Sequence, residues 1–493
     1  MLSAIIFLPL AGAAIIALLA KSARTVRLIA VVVTVADLVL VISVFVIFNL
    51  YDWSKEGNLE LVERYREWIP SLKIQYFLGV DGLNLPMVLL TSILGMCAVF
   101  SSWNIKTRVK EYFIWLMVLQ TAVAGVFLSQ DFVLFFMFWE LELIPMYLLI
   151  SIWGSGRKEY SAMKFITFTL LGSAFMLIAI LIVYLSSGTF DMVELASMNL
   201  NNLLIPTQLV FFMFFAAFAI KLPAWPVHTW LPDAHTDAPT AVSVMLAGVL
   251  LKMGGYGLIR VCIGMFPEIA HDYAFAIAIL AVISVLYGSV VTLRQSDLKR
   301  LIAYSSVSHM GLVLLGISAA GGVSKDLWVV GLNGAAIQMF THGTITGLLF
   351  ILVGLIYDKA HTRHIPDLGG LAGRMPIIAS ALVIGGLASL GLPATSGFVA
   401  EITLFLGTFL VWSWPTILAA FGIVLTAGYI LWMLQRVLFG PQLKRFENVG
   451  DATVLEAIPI GILVVAIMAV GIYPSILTDV FSSGIDSIIG TLR

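Results

Sequence analysis

The chain has 493 residues, of which 60% are apolar and only 11% are charged. That is too few charged residues for the surface of a water-soluble globular protein, so lipid must surround most of the chain. The net charge of −1 and the scattered Lys and Arg residues exclude an electrostatic nucleic-acid partner. Cys97 and Cys262 lie in apolar segments without metal-ligand spacing, which argues against zinc, iron–sulfur and disulfide roles.

Apolar runs long enough to cross a bilayer recur along the whole chain. A hydrocarbon core about 30 Å thick requires roughly 20 residues of helix. We therefore predict an all-α polytopic membrane protein of about fourteen transmembrane helices, with no soluble strands and no nucleotide-binding G-x-G-x-x-G turn. In chain order the predicted spans are 2–20, 28–50, 82–104, 112–130, 132–153, 162–186, 208–230, 239–264, 273–293, 301–320, 327–356, 376–410, 414–437 and 454–475.

The basic residues predict the orientation in the membrane, because Lys and Arg gather in cytoplasmic loops. Eighteen of the 27 fall in alternate loops, namely Lys21, Arg24, Arg27, Lys106, Arg108, Lys110, Arg157, Lys158, Lys164, Arg294, Lys299, Arg300, Lys359, Arg363, Arg374, Arg436, Lys444 and Arg445. The outer side would hold Arg260, Lys325, Arg493 and the loop 51–81, where acidic residues outnumber basic ones. We expect both termini on the outer side.

Two groups of five spans run in opposite orientation, which predicts an inverted repeat. Pro223 and Pro226 interrupt the span 208–230, and Gly391 and Pro393 interrupt the span 376–410. A simple proline kink is the alternative at either position alone, but corresponding positions in both groups favour two broken helices. The predicted units are 1–110 with three helices, 111–264 as the first repeat, 273–437 as the inverted second repeat, and 438–493 with the last helix.

Ionisable residues fall inside these spans, where each costs at least about 2.5 to 3.5 kcal/mol and therefore requires a partner, water or a function. They are Glu140, Glu142, Lys221, Lys252, His309, His342 and Glu401. Asp37 also lies in a span but outside the two repeats, and we expect a helix-end position or a partner contact for it.

Glu140 and Glu142 lie about 200° apart around a helix, so both cannot face one partner. We predict that Glu140 pairs with Lys221 and that Glu142 is auxiliary. A purely structural ion pair is the alternative. Lys252 in the following span weakens that alternative, since moving Lys221 between Glu140 and Lys252 would change proton affinity along a row.

His309 and His342 can each donate and accept a proton near neutral pH, which suits a relay. The alternative for either is an ordinary hydrogen-bonded helix contact. We take His228 as an auxiliary residue at a span end. For it and for His235, His361 and His364, helix capping or loop structure is the favoured interpretation.

Several ordered motifs resemble the antiporter-like membrane subunits of complex I, the NADH:quinone oxidoreductase, over nearly the whole chain. They are FWELELIPMY at 138–147, KLP at 221–223, HTWLPDAH at 228–235, APT at 238–240, LLKMGGYG at 250–257, YSSVSHMG at 304–311 and GFVAE at 397–401. Glu401 resembles the M type, because the L-type and N-type subunits and the related antiporters more often have lysine there. Glu142 departs from some M-type members.

The resemblance implies roles for the row. Glu140 and Lys221 would form the ion pair, Lys252 would be the central lysine, and His309 and His342 would lead to a terminal proton site at Glu401. It also implies no redox cofactor or metal in this chain.

NADH, FMN, iron–sulfur clusters and quinone would be bound by partner subunits. We expect those partners to be L-type, N-type and small membrane subunits, with lipid around them, in a bacterial cytoplasmic membrane or, for a photosynthetic relative, a thylakoid membrane. The alternative function is an Mrp-like cation/proton antiporter subunit without a redox reaction.

Overall fold

The computed structural model describes residues 1–50, 59 and 61–490. Arg493 and part of the predicted outer loop, residues 51–58 and 60, lie outside the described residues. The helices are α1 Leu2–Leu19, α2 Ala23–Leu50, α3 Asn84–Ser101, α4 Val109–Leu128, α5 Phe132–Leu141, α6 Leu143–Trp153, α7 Lys158–Ser187, α8 Met192–Ser197, α9 Thr207–Lys221, α10 Trp230–Asp237, α11 Thr240–Met245, α12 Leu251–Gly257, α13 Pro267–Leu293, α14 Leu298–Ile317, α15 Lys325–Ala360, α16 Pro376–Ser389, α17 Ser396–Phe409, α18 Ser413–Leu438, α19 Val454–Ile472 and α20 Ser475–Gly490.

The predicted all-α membrane fold is confirmed. Within the described part of the chain, twelve helical stretches are long and apolar enough to cross a membrane. Two of these are composite: α5 and α6 follow each other directly, and α11 and α12 are joined by a π-helical turn at Leu246–Leu250, with another at Leu258–Ile263. The other two predicted spans are interrupted helices. The number of crossings, the inverted repeat and the unit boundaries stay predictions.

The expectation of no strands is wrong for the segment before α3. Strand β1, Leu61–Ile69, pairs antiparallel with β2, Ile74–Val80. Four of the nine residues of β1 are charged, and most of the strand is exposed, so this segment is too polar for a membrane helix. The hairpin holds the start of α1, because the Glu63 carboxylate accepts hydrogen bonds from the backbone nitrogens of Leu2 and Ser3 at 2.8 and 2.9 Å.

The C-terminal helix α20 lies on the same side of the molecule as the hairpin, and no predicted span included it. Its apolar face is buried through Leu477, Val480, Phe481 and Ile485, while Asp479 and Asp486 lie on the other face. Because this helix is amphipathic, it lies across the ends of other helices instead of joining them as a further span.

Burial divides the helices into an inner and an outer group. The stretch from Thr240 to Ile263 and the 36-residue α15 are buried throughout their most apolar windows, whereas α1, α2, α7, α18 and α19 expose most of theirs. The outer helices present apolar side chains where lipid would lie. The inner ones are surrounded by protein, so polar side chains on them can find partners.

Both interruptions lie at the residues expected to break a helix. Helix α9 ends at Lys221, and the chain becomes helical again at Trp230, with Pro223 and Pro226 between them. Helix α16 ends at Ser389 and α17 begins at Ser396. The turn between these two contains Gly391 and Ala394, with φ of 74° and 72°, so the backbone enters the left-handed region that glycine tolerates best.

Candidate functional site: a buried row of ionisable side chains

The first member of the row is the ion pair between Lys221 and Glu142. Lys221 is the last residue of α9, and its side chain is 1% exposed, while that of Glu142 is completely buried. The Lys221 Nζ atom also lies 5.3 Å from the ring centre of Trp139 and 5.6 Å from that of Phe165. One carboxylate and two aromatic faces therefore stabilise this buried ammonium.

The predicted pairing of Lys221 with Glu140 is wrong in this structure, because the bonded carboxylate is that of Glu142. Glu142 lies at the junction between α5 and α6, where the helix is interrupted. The angular separation of the two glutamates correctly implied that only one could bond Lys221, but it gave no basis for choosing between them. Glu140 is half-buried, and its enclosed Oε1 atom has no hydrogen-bond partner. Its functional role stays a prediction.

Lys252 is the second member, and it is completely buried. Its Nζ atom donates to the carbonyl oxygen of Ala247 in the π-helical turn and lies 2.8 Å from His342 Nδ1. Since an ammonium group only donates, a charged Lys252 requires a neutral His342 that accepts at Nδ1. Lys252 and His342 are therefore directly joined through one hydrogen bond.

The first helix break brings the two lysines onto neighbouring segments. Helix α12 packs so tightly on the break that a Cβ atom on Gly254 would lie 2.6 Å from the backbone nitrogen of Leu222. Leu222 follows Lys221 directly, and Gly254 is two residues after Lys252. Among the described residues, no side-chain hydrogen bond joins the lysines to each other, so proton exchange between them requires movement or bridging water.

The histidines continue the row to Glu401. The ring centres of His342 and His309 are 5.5 Å apart, and His309 Nδ1 lies 3.9 Å from Glu401 Oε1. His309 is also 3.3 Å from Gln338 Nε2 and 3.4 Å from Ser389 Oγ. Glu401 is 5% exposed, so its carboxylate lies inside the protein next to a group that can exchange a proton with it.

The second helix break contacts the end of the row. At Gly391, a Cβ atom would overlap the Oε2 atom of Glu401. The absence of a side chain at this position is thus required by the carboxylate as well as by the backbone φ angle. Each end of the row therefore contacts an interrupted helix, with Lys221 at the first break and Glu401 at the second.

Several enclosed polar atoms along the row have no hydrogen-bond partner within the protein. Among the described residues they include Glu140 Oε1, Glu142 Oε2, His342 Nε2 and both ring nitrogens of His235. Enclosed polar atoms of this kind are ordinarily satisfied by buried water. The row thus has spare donors and acceptors, which a chain of proton transfers requires.

His235 was expected to cap a helix or lie in a loop, and that expectation is wrong. It is completely buried in α10, stacked on Phe350 with ring centres 4.7 Å apart. Lys252 and Lys299 both lie within electrostatic reach of its ring. Nothing in the spacing of the histidines distinguished it from the others, because its burial results from the way α10 folds back after the break.

A cavity of about 200 Å³ on the side opposite the hairpin is lined in part by Ala238, which directly follows α10, the helix that carries His235. Its lining includes Lys299, Asp358 and Arg363. Lys299 begins the membrane segment of α14 and donates to the carbonyl oxygen of Ala238, just after α10. The cavity therefore brings the protein surface close to the segment that carries His235.

Two other predicted residues lie away from the row. His228 is buried in the first break and packs against Tyr287 with ring centres 5.0 Å apart, and it makes no hydrogen bond to a member of the row in the described structure. Asp37 is buried within α2, where it accepts hydrogen bonds from Ser92 at 2.7 Å and Gln120 at 2.8 Å. It joins three helices, which is the contact role expected for it and not a helix-end position.

The family of the chain follows from comparison with known proteins. A family model described as NADH:quinone oxidoreductase/Mrp antiporter, transmembrane, matches residues 129–426. This range contains every member of the row. The chain belongs to this family.

Two relatives and one solved structure refine the assignment. The NADH-quinone oxidoreductase subunit M of Rhodobacter capsulatus is 43% identical over 98% of this chain and 95% of its own length. The NAD(P)H-quinone oxidoreductase chain 4 1 of Synechococcus elongatus is 42% identical over 89% of this chain and 82% of its own. A chain of respiratory complex I from Thermus thermophilus is 27% identical, with a TM-score of 0.90 and complete coverage of both chains. The predicted resemblance to M-type, antiporter-like subunits of complex I is confirmed.

In residues 1–50, 59 and 61–490, no three His, Cys, Asp or Glu side chains are grouped closely enough to hold a metal ion. Cys97 and Cys262 are buried free thiols.

Proposed function

We propose that this chain is the proton-translocating, M-type membrane subunit of a NADH:quinone oxidoreductase and that the buried row carries the protons. The observation that carries the proposal is the succession of buried ionisable groups from the Glu142–Lys221 pair through Lys252, His342 and His309 to Glu401. A structural scaffold would not need so many buried charges, because each is costly to insert into a membrane protein.

Protons enter from the side opposite the hairpin, which the basic loops assign to the cytoplasm. The cavity beside Lys299 and Asp358 supplies water and charge at the entrance. His235, with both ring nitrogens lacking a protein partner, lies between that entrance and Lys252 within electrostatic reach of it. His235 then passes the proton to Lys252.

Movement of Lys221 relative to Glu142 drives the transfer. Driving one charge against 100 mV requires about 2.3 kcal/mol. With an effective dielectric constant of about 20, separating a unit-charge pair from about 4 Å to about 10 Å changes its interaction by roughly 2.5 kcal/mol. A displacement of this size at the break after α9 is therefore sufficient in scale. Glu140, whose enclosed Oε1 atom has no hydrogen-bond partner, is the second carboxylate. Lys221 can therefore move between Glu142 and Glu140.

When the positive charge of Lys221 moves nearer to Lys252, Lys252 releases its proton more readily. The acceptor is His342, which is already hydrogen-bonded to Lys252. The proton continues through His309 to Glu401. There the carboxylate alternates between a neutral and a negative form, next to the turn at Gly391, and the proton leaves toward the hairpin side. This side is the outer one in the proposed topology, with both termini on it.

The redox reaction belongs to other subunits of the complex. NADH, FMN and iron–sulfur clusters would be bound by peripheral subunits and quinone by a neighbouring membrane subunit. We propose L-type, N-type and small membrane subunits as the direct neighbours, in a bacterial cytoplasmic membrane or, in a photosynthetic organism, a thylakoid membrane. The energy then reaches Lys221 as a conformational or electrostatic change at a subunit contact.

Purification of the tagged chain from its native membrane tests the assignment. We expect NADH dehydrogenase activity and FMN to co-purify with it in one complex. The rival, an Mrp-like antiporter subunit, has less support because two quinone oxidoreductase subunits are 43% and 42% identical to this chain. Co-purification with other antiporter subunits alone, without FMN, would establish the rival instead.

A further inference from the structure

A second polar cluster lies beyond the row on the hairpin side, and the proposed proton path does not use it. Tyr256 and Arg260 follow Lys252 at intervals of four residues, so they continue the same face of the helical segment toward the hairpin. Tyr256 is completely buried, and the Arg260 side chain is 12% exposed. These two residues therefore lie between Lys252 and the end of this helical segment on the hairpin side.

Hydrogen bonds tie this cluster to the start of α3. Arg260 forms an ion pair with Asp81, and its Nε donates to the Tyr256 hydroxyl at 3.3 Å. That hydroxyl lies 3.3 Å from the carbonyl oxygen of Phe127, to which Asn84 also donates at 3.0 Å. The Asn84 side chain in turn accepts from the backbone nitrogen of Asp81 at 2.9 Å. Three separate segments are thereby joined across the end of the path.

Helix α20 covers this cluster from outside. Gly484 packs so closely on the turn after β2 that a Cβ atom there would lie 2.5 Å from the carbonyl carbon of Gly82. Gly82 is the residue after Asp81. The C-terminal helix therefore holds the Asp81 turn against Arg260.

The cluster differs from the row in whether its enclosed polar atoms have hydrogen-bond partners within the protein. The row contains enclosed atoms without a protein partner, whereas Asp81, Asn84, Tyr256 and Arg260 contribute none among the described residues. A guanidinium group has five donors and no acceptor, so it cannot take up a proton and pass it on. A fully bonded cluster that contains an arginine is thus a poor path for protons.

We propose that Asp81, Tyr256 and Arg260 form a seal that closes the direct path from Lys252 to the hairpin side. The seal rests on the proposed function, since it matters only if protons reach Lys252. With this path closed, a proton on Lys252 can reach the hairpin side only by way of His342, His309 and Glu401. Pumping then depends on the whole row, and protons do not flow back through its first half.

The test measures passive proton flow in inverted vesicles that contain the whole complex, without NADH. A pH gradient is imposed by an acid pulse, and its decay is followed with a pH-sensitive dye. Arg260→Gln removes the ion-pair partner of Asp81 and one of the two hydrogen-bond partners of the Tyr256 hydroxyl, so we expect decay about tenfold faster than in the native complex, because bonds to charged groups are among the stronger ones. Arg64→Gln is the matched control, since Arg64 pairs with the buried Asp191 on the same side but away from this path.

A second substitution identifies the route of the leak. Adding Lys252→Met to Arg260→Gln should return the decay to the native rate, because the leak passes through Lys252. A leak that persists in the double variant overturns the seal, as does an assembled Arg260→Gln complex with native decay. Where Arg260→Gln does not assemble, Tyr256→Phe decides: it keeps the ring on Phe127 but removes the hydroxyl, and native decay in that variant also overturns the proposal. The proposed function fails separately, if variants of the row still pump with NADH.

Discussion

Replacing each of the two glutamates with glutamine separates the structural role of the carboxylates from their role in pumping. Both substitutions preserve shape and remove one negative charge. Glu142→Gln leaves Lys221 without its bonded partner in a site where neither side chain is more than 1% exposed. Removing one partner of a buried ion pair costs about 3 to 5 kcal/mol, a large fraction of the roughly 5 to 15 kcal/mol that stabilise a domain. We expect much less assembled complex.

Glu140→Gln breaks no hydrogen bond of the enclosed Oε1 atom, which has none. Its effect on stability should therefore be about 0.5 kcal/mol, as for substitutions that disturb no buried pair. We expect an assembled complex with near-normal peripheral NADH dehydrogenase activity but without quinone-coupled turnover or a proton gradient, because the second position for Lys221 is lost. Glu140→Asp should retain part of both.

The assay compares blue-native gels with NADH-driven acidification of inverted membrane vesicles. A third variant, Glu142→Gln with Lys221→Met, removes both charges, so that no buried ion is left unpaired. We expect it to recover assembly without recovering pumping, since replacing both members of a pair is far less costly than removing one. If Glu140→Gln fails to assemble while Glu142→Gln assembles normally, the bonded pair is Glu140 with Lys221 and the reasoning from this geometry is refuted.

The remaining predictions concern topology and the second break. A cysteine label in the loop 294–300 should be accessible from the cytoplasmic side and one in the loop 61–81 from the opposite side, and swapped accessibility would reverse the orientation. Glu401→Lys should assemble but pump poorly, because lysine alternates between positive and neutral where glutamate alternates between neutral and negative. Pumping at the native rate would remove the argument that a glutamate at this position indicates the M type. Gly391→Ala should lower stability by about 1 to 2 kcal/mol from the left-handed backbone alone, and its overlap with Glu401 should slow pumping. Thermal unfolding measures the first effect and vesicle acidification the second. Unchanged values in both assays would count against the close contact.

The sequence was sufficient for the membrane architecture because long apolar runs and the prolines between them leave few alternatives. A run as long and apolar as that of α15 is typical of a membrane helix, and Pro223 and Pro393 each lack the backbone N–H that a helix interior requires. The hairpin and α20 were missed for the opposite reason. Both are short and amphipathic, so their structure depends on the helix ends against which they pack.

Within the site, the sequence identified which residue types are buried but not which of them touch. Which glutamate bonds Lys221 depends on the interruption of the helix at Glu142, between α5 and α6. A prediction that assumes a regular helical period cannot include this interruption. His235 was assigned to a loop because its burial depends on the chain folding back after a break. Lys252 and His342 could be linked only by the roles that the family resemblance implied, and the hydrogen bond between them is a result of the tertiary packing of α12 on α15.

The most direct test of the account is the NADH-driven acidification of inverted vesicles that contain the Lys252→Met complex. Every proton passes through Lys252 in the proposed path, and methionine fills its buried site without a charge. The account predicts an assembled complex with normal peripheral NADH dehydrogenase activity and no NADH-driven proton gradient. Acidification at the native rate by that assembled complex would contradict it.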